Sequence, residues 1–231
     1  MKSIISLLSA FSLGTAVFLL VYCGPGPTGA KQTITITSPA AGAEILAGDT
    51  ISVQWTQPVA NPALFYNYNL TSSVWQSFAT VIPVSSREVK VVLPTTWFSD
   101  SFQVKVEDNA GVYDAGISGY LHLKYIILTT SLTGKTVKVG DSITLSWRAL
   151  LTAISSVEVM LSTDTGLTFN EIIGTGSIPT GTALSCIWVV GSETGWNFLP
   201  QYPSSTCVVK VRKYSDDPYK DISGIFTVAK P

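Results

Sequence analysis

Hydrophobic and polar residues alternate over short stretches along most of this chain. Ile34 and Ile36 alternate with threonines, and Ile51, Val53 and Trp55 alternate with serine and glutamine. A two-residue period is typical of β-strands that bury one face. The same signal marks three further short stretches, residues 89–92, 104–106 and 120–123. Because Gly, Asn, Asp and Pro separate these stretches and favour turns, the pattern predicts an all-β protein.

An internal repeat divides the chain into two similar halves. Residues 33–55 align with residues 125–147 at a constant offset of 92, with seven identical positions. The identities include a Gly-Asp pair, which predicts a tight turn before a strand, and the tryptophans Trp55 and Trp147. We expect both tryptophans to lie in the core between two sheets.

A second pair of blocks shows where the copies end. Residues 102–123 align with residues 207–228 at an offset of 105, and both blocks contain Val-Lys-Val and Ile-Ser-Gly. The larger offset places 13 additional residues in the second copy, within the loop-like stretch 191–203. We therefore predict two tandem domains, residues 33–125 and residues 126–231.

Each predicted domain has the size and strand spacing of an Ig-like or fibronectin-III-like β-sandwich, which packs about seven strands into about 100 residues. The fold class predicted from the sequence is therefore all-β, with two tandem sandwiches after an N-terminal signal helix. No Pro-rich or Gly-rich linker separates the copies, and residues 119–130 form one extended run. We expect a semi-rigid rod.

The N-terminus has the pattern of an export signal. Lys2 supplies one positive charge, and residues 4–22 carry none. This apolar run ends at Cys23, and a stretch rich in Gly and Pro follows. We predict a signal peptide of the lipoprotein type over residues 1–22 and a flexible tether over residues 23–32.

Three fates remain open for this segment. A lipoprotein signal peptidase would cleave before Cys23, which would then carry the lipid, although Tyr22 stands where such signals usually have a small residue. Cleavage after Ala30 would release a secreted protein, and an uncleaved segment is long enough to anchor the chain in a membrane. All three fates place the remaining chain outside the cytoplasm, as a cell-surface or outer-membrane lipoprotein or as a secreted protein.

Export also affects how the other two cysteines are interpreted. Cys186 and Cys207 form an even pair in an oxidising compartment, and each lies in a predicted strand. We expect a disulfide between neighbouring strands, which would stabilise the fold by about 3 kcal/mol in the chain-entropy model. The alternative is two buried free thiols.

Composition narrows the functional classes. Charged residues make up 13% of the chain and the formal net charge is −1, with no basic run. This balance argues against a nucleic-acid partner. The single histidine, His122, is interpreted as a surface residue and argues against His-rich zinc sites, and no cofactor is expected. Asp216, Asp217 and Asp221 are interpreted as a solvated acidic turn in preference to a calcium site.

One short motif stands out in the second copy. Ser162, Asp164, Gly166 and Phe169 fit a pattern that resembles the Asp-box. In such a turn the aspartate accepts hydrogen bonds from turn amides, the glycine allows a positive φ, and the aromatic ring packs beneath. We interpret this motif as a structural turn without a catalytic role.

Aromatic residues outside the strand pattern are the candidate ligand-binding residues. The loop-like stretch of the second copy carries Trp196, Phe198 and Tyr202, and the first copy has Trp97 followed by Phe98 in a comparable region. Aromatic faces on a loop suit stacking on sugar rings or anchoring a protein partner. The alternative is that these rings cap the ends of the sandwiches or form the contact between the two domains.

The order of these motifs resembles a known family of surface modules. The first copy contains Thr-Ser-Pro, then Gly-Asp-x-Ile-x-Val-x-Trp and a Val-Lys-Val strand, and the second copy ends in Ser-Gly-x-Phe-x-Val. This order is similar to the Ig-like repeats of secreted surface proteins. It also resembles the N-terminal module of Ser/Thr-rich anchored yeast cell-wall proteins of the Kre9/Knh1 type and bacterial counterparts. The resemblance implies a non-catalytic wall or surface module and supplies no catalytic residues.

Three functional hypotheses follow. The first is a non-enzymatic cell-surface or secreted protein for binding, adhesion or cell-wall structure, with an extracellular glycan or protein ligand and a membrane contact through an N-terminal lipid or signal anchor. The alternative is a carbohydrate-binding accessory module that acts on wall or extracellular polysaccharide. A hydrolase, the third hypothesis, would need two carboxylates that face one cleft.

Overall fold

The computed structural model describes residues 30–68, 73–173, 178–179, 184–195, 202–214 and 216–231. Lys31–Pro231 forms one compact unit. The predicted signal helix and Cys23 lie outside the described residues, as do Trp196 and Phe198. Within the described ranges, no helix is long and apolar enough to cross a membrane.

The described residues form two β-sandwiches. The strands of the first sandwich are β1 (Ile36–Ser38), β2 (Glu44–Leu46), β3 (Thr50–Trp55), β4 (Pro62–Asn67), β5 (Gln76–Ser77), β6 (Glu88–Val92), β7 (Ser99–Asp108), β8 (Gly116–Ile117) and β9 (Leu121–Lys124). The strands of the second sandwich are β10 (Ile126–Leu128), β11 (Thr136–Lys138), β12 (Ser142–Ala149), β13 (Ser156–Ser162), β14 (Glu171–Ile172), β15 (Ile178–Pro179), β16 (Ser185–Val189), β17 (Thr194–Gly195), β18 (Ser204–Lys213), β19 (Asp216–Ile222) and β20 (Phe226–Ala229).

Both sandwiches share one strand order, to which the second adds β15 and β17. In the first, one sheet runs β1-β3-β6 and the other runs β2-β9-β7-β4-β5, with β8 paired to β7. In the second, one sheet runs β10-β12-β16 and the other runs β11-β20-β18-β13-β14-β17, with β15 on β13 and β19 on β18. The only parallel ladders among the named strands are β2 with β9 and β11 with β20, at equivalent places. The predicted tandem of Ig-like sandwiches is confirmed.

The alternating residues of the sequence fill the two cores. Ile51, Val53 and Trp55 point into the first core, and Trp147 is buried in the second. Each β-strand sends successive side chains to opposite faces, so the hydrophobic set lies between the sheets and the serines and threonines face water. The prediction that both tryptophans are core residues is confirmed.

The shared Ile-Ser-Gly segments adopt one arrangement in both sandwiches. The Ser118 hydroxyl accepts from the Val104 amide, and the Ser223 hydroxyl accepts from the Val209 amide, each at 3.0 Å. Both hydroxyls also donate to the carbonyl of the following glycine. A Cβ on Gly224 would lie 2.2 Å from Thr133 Oγ1, so this position has no room for a side chain. Close packing explains why both copies have glycine here.

The expected disulfide does not form, which corrects the sequence prediction. Cys186 and Cys207 are both free thiols. Cys186 lies on β16 and Cys207 on β18, and these strands belong to different sheets of the second sandwich. The two cysteines are therefore not on neighbouring strands of one sheet, as the prediction required. Strand-like sequence around each cysteine could not show that the two strands are not neighbours.

The loop-like stretch of the second copy contains a short strand. Thr194 and Gly195 form β17, which pairs with Ile172 and Glu171 of β14. Among the described residues of the first sandwich, no strand corresponds to β17. Thr194 and Gly195 therefore extend one sheet of the second sandwich at its edge.

Candidate functional site

The two sandwiches meet without a linker. β9 ends at Lys124, β10 begins at Ile126, and Tyr125 alone lies between them. The Leu150 amide donates to the Tyr125 carbonyl and the Ala47 amide donates to the Lys124 carbonyl, each at 2.9 Å. Ala47 belongs to the first sandwich but is buried in the hydrophobic core of the second. We call this contact region the seam.

An ion network with one buried carboxylate, Asp221, crosses the seam. Lys124 Nζ donates to the carboxylates of Glu44, in the first sandwich, and Asp221, in the second. Asp221 also accepts a hydrogen bond from the Leu128 amide at 2.7 Å. Burial lowers the pKa of the Lys124 ammonium, but the hydrogen bonds to both carboxylates outweigh burial and raise that pKa above its usual value. Lys124 is therefore charged at neutral pH.

The interpretation of Asp221 as part of a solvated turn was wrong. Asp221 is 5% exposed and lies in a strand, β19, which pairs with β18. An aspartate is rarely buried unless it is paired, and here the ammonium of Lys124 and the amide of Leu128 satisfy it. The sequence around Asp221 is acidic and includes a proline, which is why it resembles a loop.

A second ion pair lies between the sandwiches, nearer to solvent. Arg148 Nη2 lies 2.7 Å from both carboxylate oxygens of Asp49. Asp49 belongs to the Gly-Asp turn of the first sandwich, and its partner glycine, Gly48, has a φ of +85°. Exposed pairs contribute about 0–1 kcal/mol, so this pair fixes orientation more than it adds stability.

Three aromatic rings pack together at the seam. The ring centroids of Tyr125 and Tyr219 are 4.8 Å apart, and Phe98 lies 5.7 Å from Tyr125 and 5.8 Å from Tyr219. Lys213 Nζ lies 5.2 Å from the centroid of the Tyr219 ring. Phe98 comes from the first sandwich and Tyr219 from the second, so these rings hold the two sandwiches against each other.

A groove opens between the sandwiches beside these contacts. Its first part has a volume of about 270 Å³ and is lined by Glu44, Phe98, Asp100, Lys124, Lys220, Asp221 and Ile222. The adjoining part, about 220 Å³, shares Glu44, Asp221 and Ile222 and continues along residues 128–133 and 223–224. We call both parts together the seam groove. His122 Nδ1 lies 3.7 Å from the Asp100 carboxylate near its edge.

The residues around Asp164 form a hydrogen-bonded turn after β13. Ser162 Oγ donates to Asp164 Oδ1 at 2.6 Å, and the Thr168 amide and hydroxyl donate to the same carboxylate. Burial alone would raise the pKa of Asp164, but these hydrogen bonds lower it to about 2. Gly166 has a φ of +86°, and the Phe169 ring lies beneath it. The Asp164 carboxylate accepts its hydrogen bonds from residues of the turn itself, which is what a structural role requires.

Trp97, a candidate ligand-binding residue, packs against the first core. Its ring centroid lies 4.3 Å from Tyr66 and 5.8 Å from the buried Phe102. Tyr66 also contacts Phe78, so these rings form one cluster that packs against the first core.

Tyr202 is the one described member of the aromatic set of the second copy. It packs against the second core, and its hydroxyl group is buried. Burial raises the pKa of Tyr202, and the charge of Glu193 raises it further. Glu193 accepts hydrogen bonds from Trp188 Nε1 and from the Gly191 amide. Tyr202 and Trp97 lie in different sandwiches and form no common site.

Sequence reasoning missed most of the seam. Glu44, Lys124 and Arg148 belong to no motif, and each stands alone among neutral neighbours. One signal was present: at an offset of 105, Asp221 aligns with Gly116 of the first copy. In the described ranges, no group of three or more His, Cys, Asp or Glu side chains is placed to hold a metal ion.

The chain was compared with known proteins. No family model matches it, and no curated protein matches it. Solved structures of Ig-like and fibronectin-III-like domains do match. The titin domains Z1Z2 in complex with telethonin are 15% identical, with 87% of this chain and 99% of that chain covered and a TM-score of 0.27. The teleost fish polymeric Ig receptor ectodomain is 10% identical, with 86% and 98% covered and a TM-score of 0.41.

A bacterial structure matches over a similar span. The fibronectin(III)-like modules of Clostridium thermocellum CbhA are 16% identical, with 86% of this chain and 93% of that chain covered and a TM-score of 0.23. At these identities the likeness concerns the fold. The order of the strands in the four sheets is that of a tandem of two Ig-like β-sandwiches.

Proposed function

We propose that the protein is an exported, surface-tethered rod of two Ig-like sandwiches that acts without catalysis in binding, adhesion or cell-wall structure. The observation that carries this proposal is the seam. Two sandwiches joined by the single residue Tyr125, with shared core packing at Ala47 and an ion network at Lys124, have little freedom to bend. A stiff tandem is suited to hold a binding surface away from a membrane or to span a wall.

The N-terminal sequence supports the tether. A charged residue, a long apolar run and Cys23 at its end form the pattern of a lipoprotein signal, and the Gly-rich and Pro-rich residues that follow suit a flexible linker. A lipid on Cys23 would hold the rod at the surface, with its far end free to meet an extracellular protein or glycan.

Lipid labelling of cells that make the protein tests this proposal. The native chain should incorporate labelled palmitate and sediment with membranes, and the Cys23→Ser variant should do neither. Cys186→Ser is the matched control, because Cys186 lies within the second sandwich and should leave the labelling unchanged. Unlabelled native protein in the medium would refute a lipid tether.

Backbone relaxation measured by nitrogen-15 NMR tests the rod. If the seam is rigid, the amides of both sandwiches should report one common rotational diffusion tensor. Independent tumbling of the two sandwiches would contradict the proposal, whatever the result of the labelling.

A further inference from the structure

We propose that the seam groove is a binding site for a neutral saccharide. The proposal rests on the proposed binding function and gives it a site and a class of ligand. It depends on four features of the groove: its position, an exposed aromatic ring, an ion network whose members already have partners, and a row of exposed hydroxyl groups.

The position of the groove is typical of a ligand site. Pockets for small molecules favour the interfaces between domains and usually enclose about 300–1,000 Å³. The two parts of the seam groove, about 270 and about 220 Å³, together lie in this range. The contacts of Lys124 and Tyr125 join the sandwiches directly beside the groove, so its walls are held in place before a ligand arrives.

Phe98 gives the groove an exposed aromatic surface. Its side chain contacts Tyr125 and Tyr219, yet 41% of Phe98 remains exposed. The planes of these two rings meet that of Phe98 at 48° and 87°, so neither ring stacks flat against it. An aromatic surface that is fixed but not covered can stack on the apolar face of a sugar ring. Ile222, which is 42% exposed, extends the apolar surface on the other sandwich.

The charges of the groove disfavour an anionic ligand. Lys124 is held between Glu44 and Asp221, and these three groups together carry a net charge of −1. Asp100 and Lys220, which also line the groove, add one charge of each sign. A charged ligand would have to compete with this network, because the ammonium and the buried carboxylate already have partners. A neutral ligand needs no counter-charge from the protein and can use the acceptors that remain.

The polar groups that remain match a ligand with many hydroxyls. The Asp100 side chain is 76% exposed, and its carboxylate oxygens can accept hydrogen bonds from ligand hydroxyls. Along the second part of the groove, Thr129, Ser131 and Thr133 are exposed and can both donate and accept. Stacking at one end and hydroxyl contacts along the rest is the combination that a short oligosaccharide requires.

Calorimetry with the native protein tests the proposal. The probes are oligomers of glucose, mannose and N-acetylglucosamine, two to six units long as a rough range for a groove of this size. At least one series should bind, and Phe98→Ala should weaken that binding about tenfold. Asp100→Asn should also weaken binding, by about threefold to tenfold, because a hydrogen bond to a charged group becomes a neutral one.

Two further variants control for folding and location. Phe98→Leu keeps apolar contact with Tyr125 and Tyr219 but removes the aromatic face, so it should weaken binding while the melting temperature stays near that of the native protein. Tyr120→Ala is the matched control, because Tyr120 is an aromatic residue of similar exposure, 50%, that does not line the groove. Its affinity should be unchanged.

Three results would overturn the proposal. These are no binding of any of the oligomers, binding that all Phe98 variants retain, or binding of a lysine-rich peptide at the groove in place of a saccharide. None of these results alters the labelling of Cys23 or the common tumbling of the sandwiches. Failure of the saccharide site is thus distinguishable from failure of the proposed tethered rod.

Discussion

Asp221 is the residue on which the contact between the sandwiches most depends. Replacing it with alanine would leave the Leu128 amide without its acceptor and Lys124 with one carboxylate where it now has two. An unsatisfied buried amide costs about 1–3 kcal/mol, and removing one partner of a buried ion pair costs about 3–5 kcal/mol. Because Glu44 still holds the ammonium, we expect a loss of about 2–4 kcal/mol in the free energy of unfolding.

Two measurements on Asp221→Ala check this expectation. Urea unfolding followed by tryptophan fluorescence gives the loss of stability, and hydrogen exchange at the Leu128 amide should become faster than in the native protein. Asp221→Asn keeps an acceptor for the Leu128 amide, so we expect its loss in the free energy of unfolding to be about half that of Asp221→Ala. Asp100→Ala is the control, because this exposed carboxylate lies at the same groove and should change stability by less than about 0.5 kcal/mol.

Alkaline pH offers an independent check on the same network. The pKa of Lys124 is raised in the folded state, so its contribution is present below the unfolded value of about 10.4 and is lost as pH rises through the folded value. The native protein should therefore lose stability at strongly alkaline pH, and Asp221→Ala should lose less. Unchanged Leu128 exchange in Asp221→Ala, or a stability loss equal to that of Asp100→Ala, would refute the reasoning.

Three further predictions concern other parts of the fold. Because the pKa of Asp164 is lowered to about 2, the protection factors of the turn amides, which correct for the intrinsic exchange rate, should decrease as pH falls from about 4 to about 2, and an Asp164→Ala variant with the same acid transition would contradict this. Cys186 and Cys207 should both titrate with a thiol reagent after unfolding without reductant. In the native state Cys186 should react slowly, because burial raises its pKa to about 11, and a rapid reaction at neutral pH would contradict this. Gly224→Ala should lower the free energy of unfolding by about 1–3 kcal/mol, because the added methyl group forces Thr133 to move. An unchanged stability would contradict this prediction.

The fold was predictable because it depends on periodic signals. Alternation at Ile51, Val53 and Trp55 specifies a strand with one buried face, and the repeat at an offset of 92 shows that the same strand occurs twice. The offset of 105 also places the Ser-Gly segments at Ser118 and Ser223 in equivalent positions, and the structure gives them the same hydrogen bonds.

The seam could not be predicted, because it depends on contacts between distant residues. Lys124 contacts Glu44 and Asp221, which are 80 and 97 residues away in the sequence, and no local pattern predicts either ion pair. The prediction of a disulfide was wrong for the same reason. Local sequence predicts a strand around Cys186 and another around Cys207, but it does not show to which sheet each strand belongs. The repeat shows only which aligned positions differ between the two copies, such as Asp221 and Gly116.

Mass spectrometry of the native protein, without reduction, tests the central claim most directly. The tethered-rod account predicts that the chain begins at Cys23 with the added mass of a diacylglyceryl group. It also predicts no two-hydrogen loss at Cys186 and Cys207, since both are free thiols. An unmodified chain that begins at Lys31 would contradict the account.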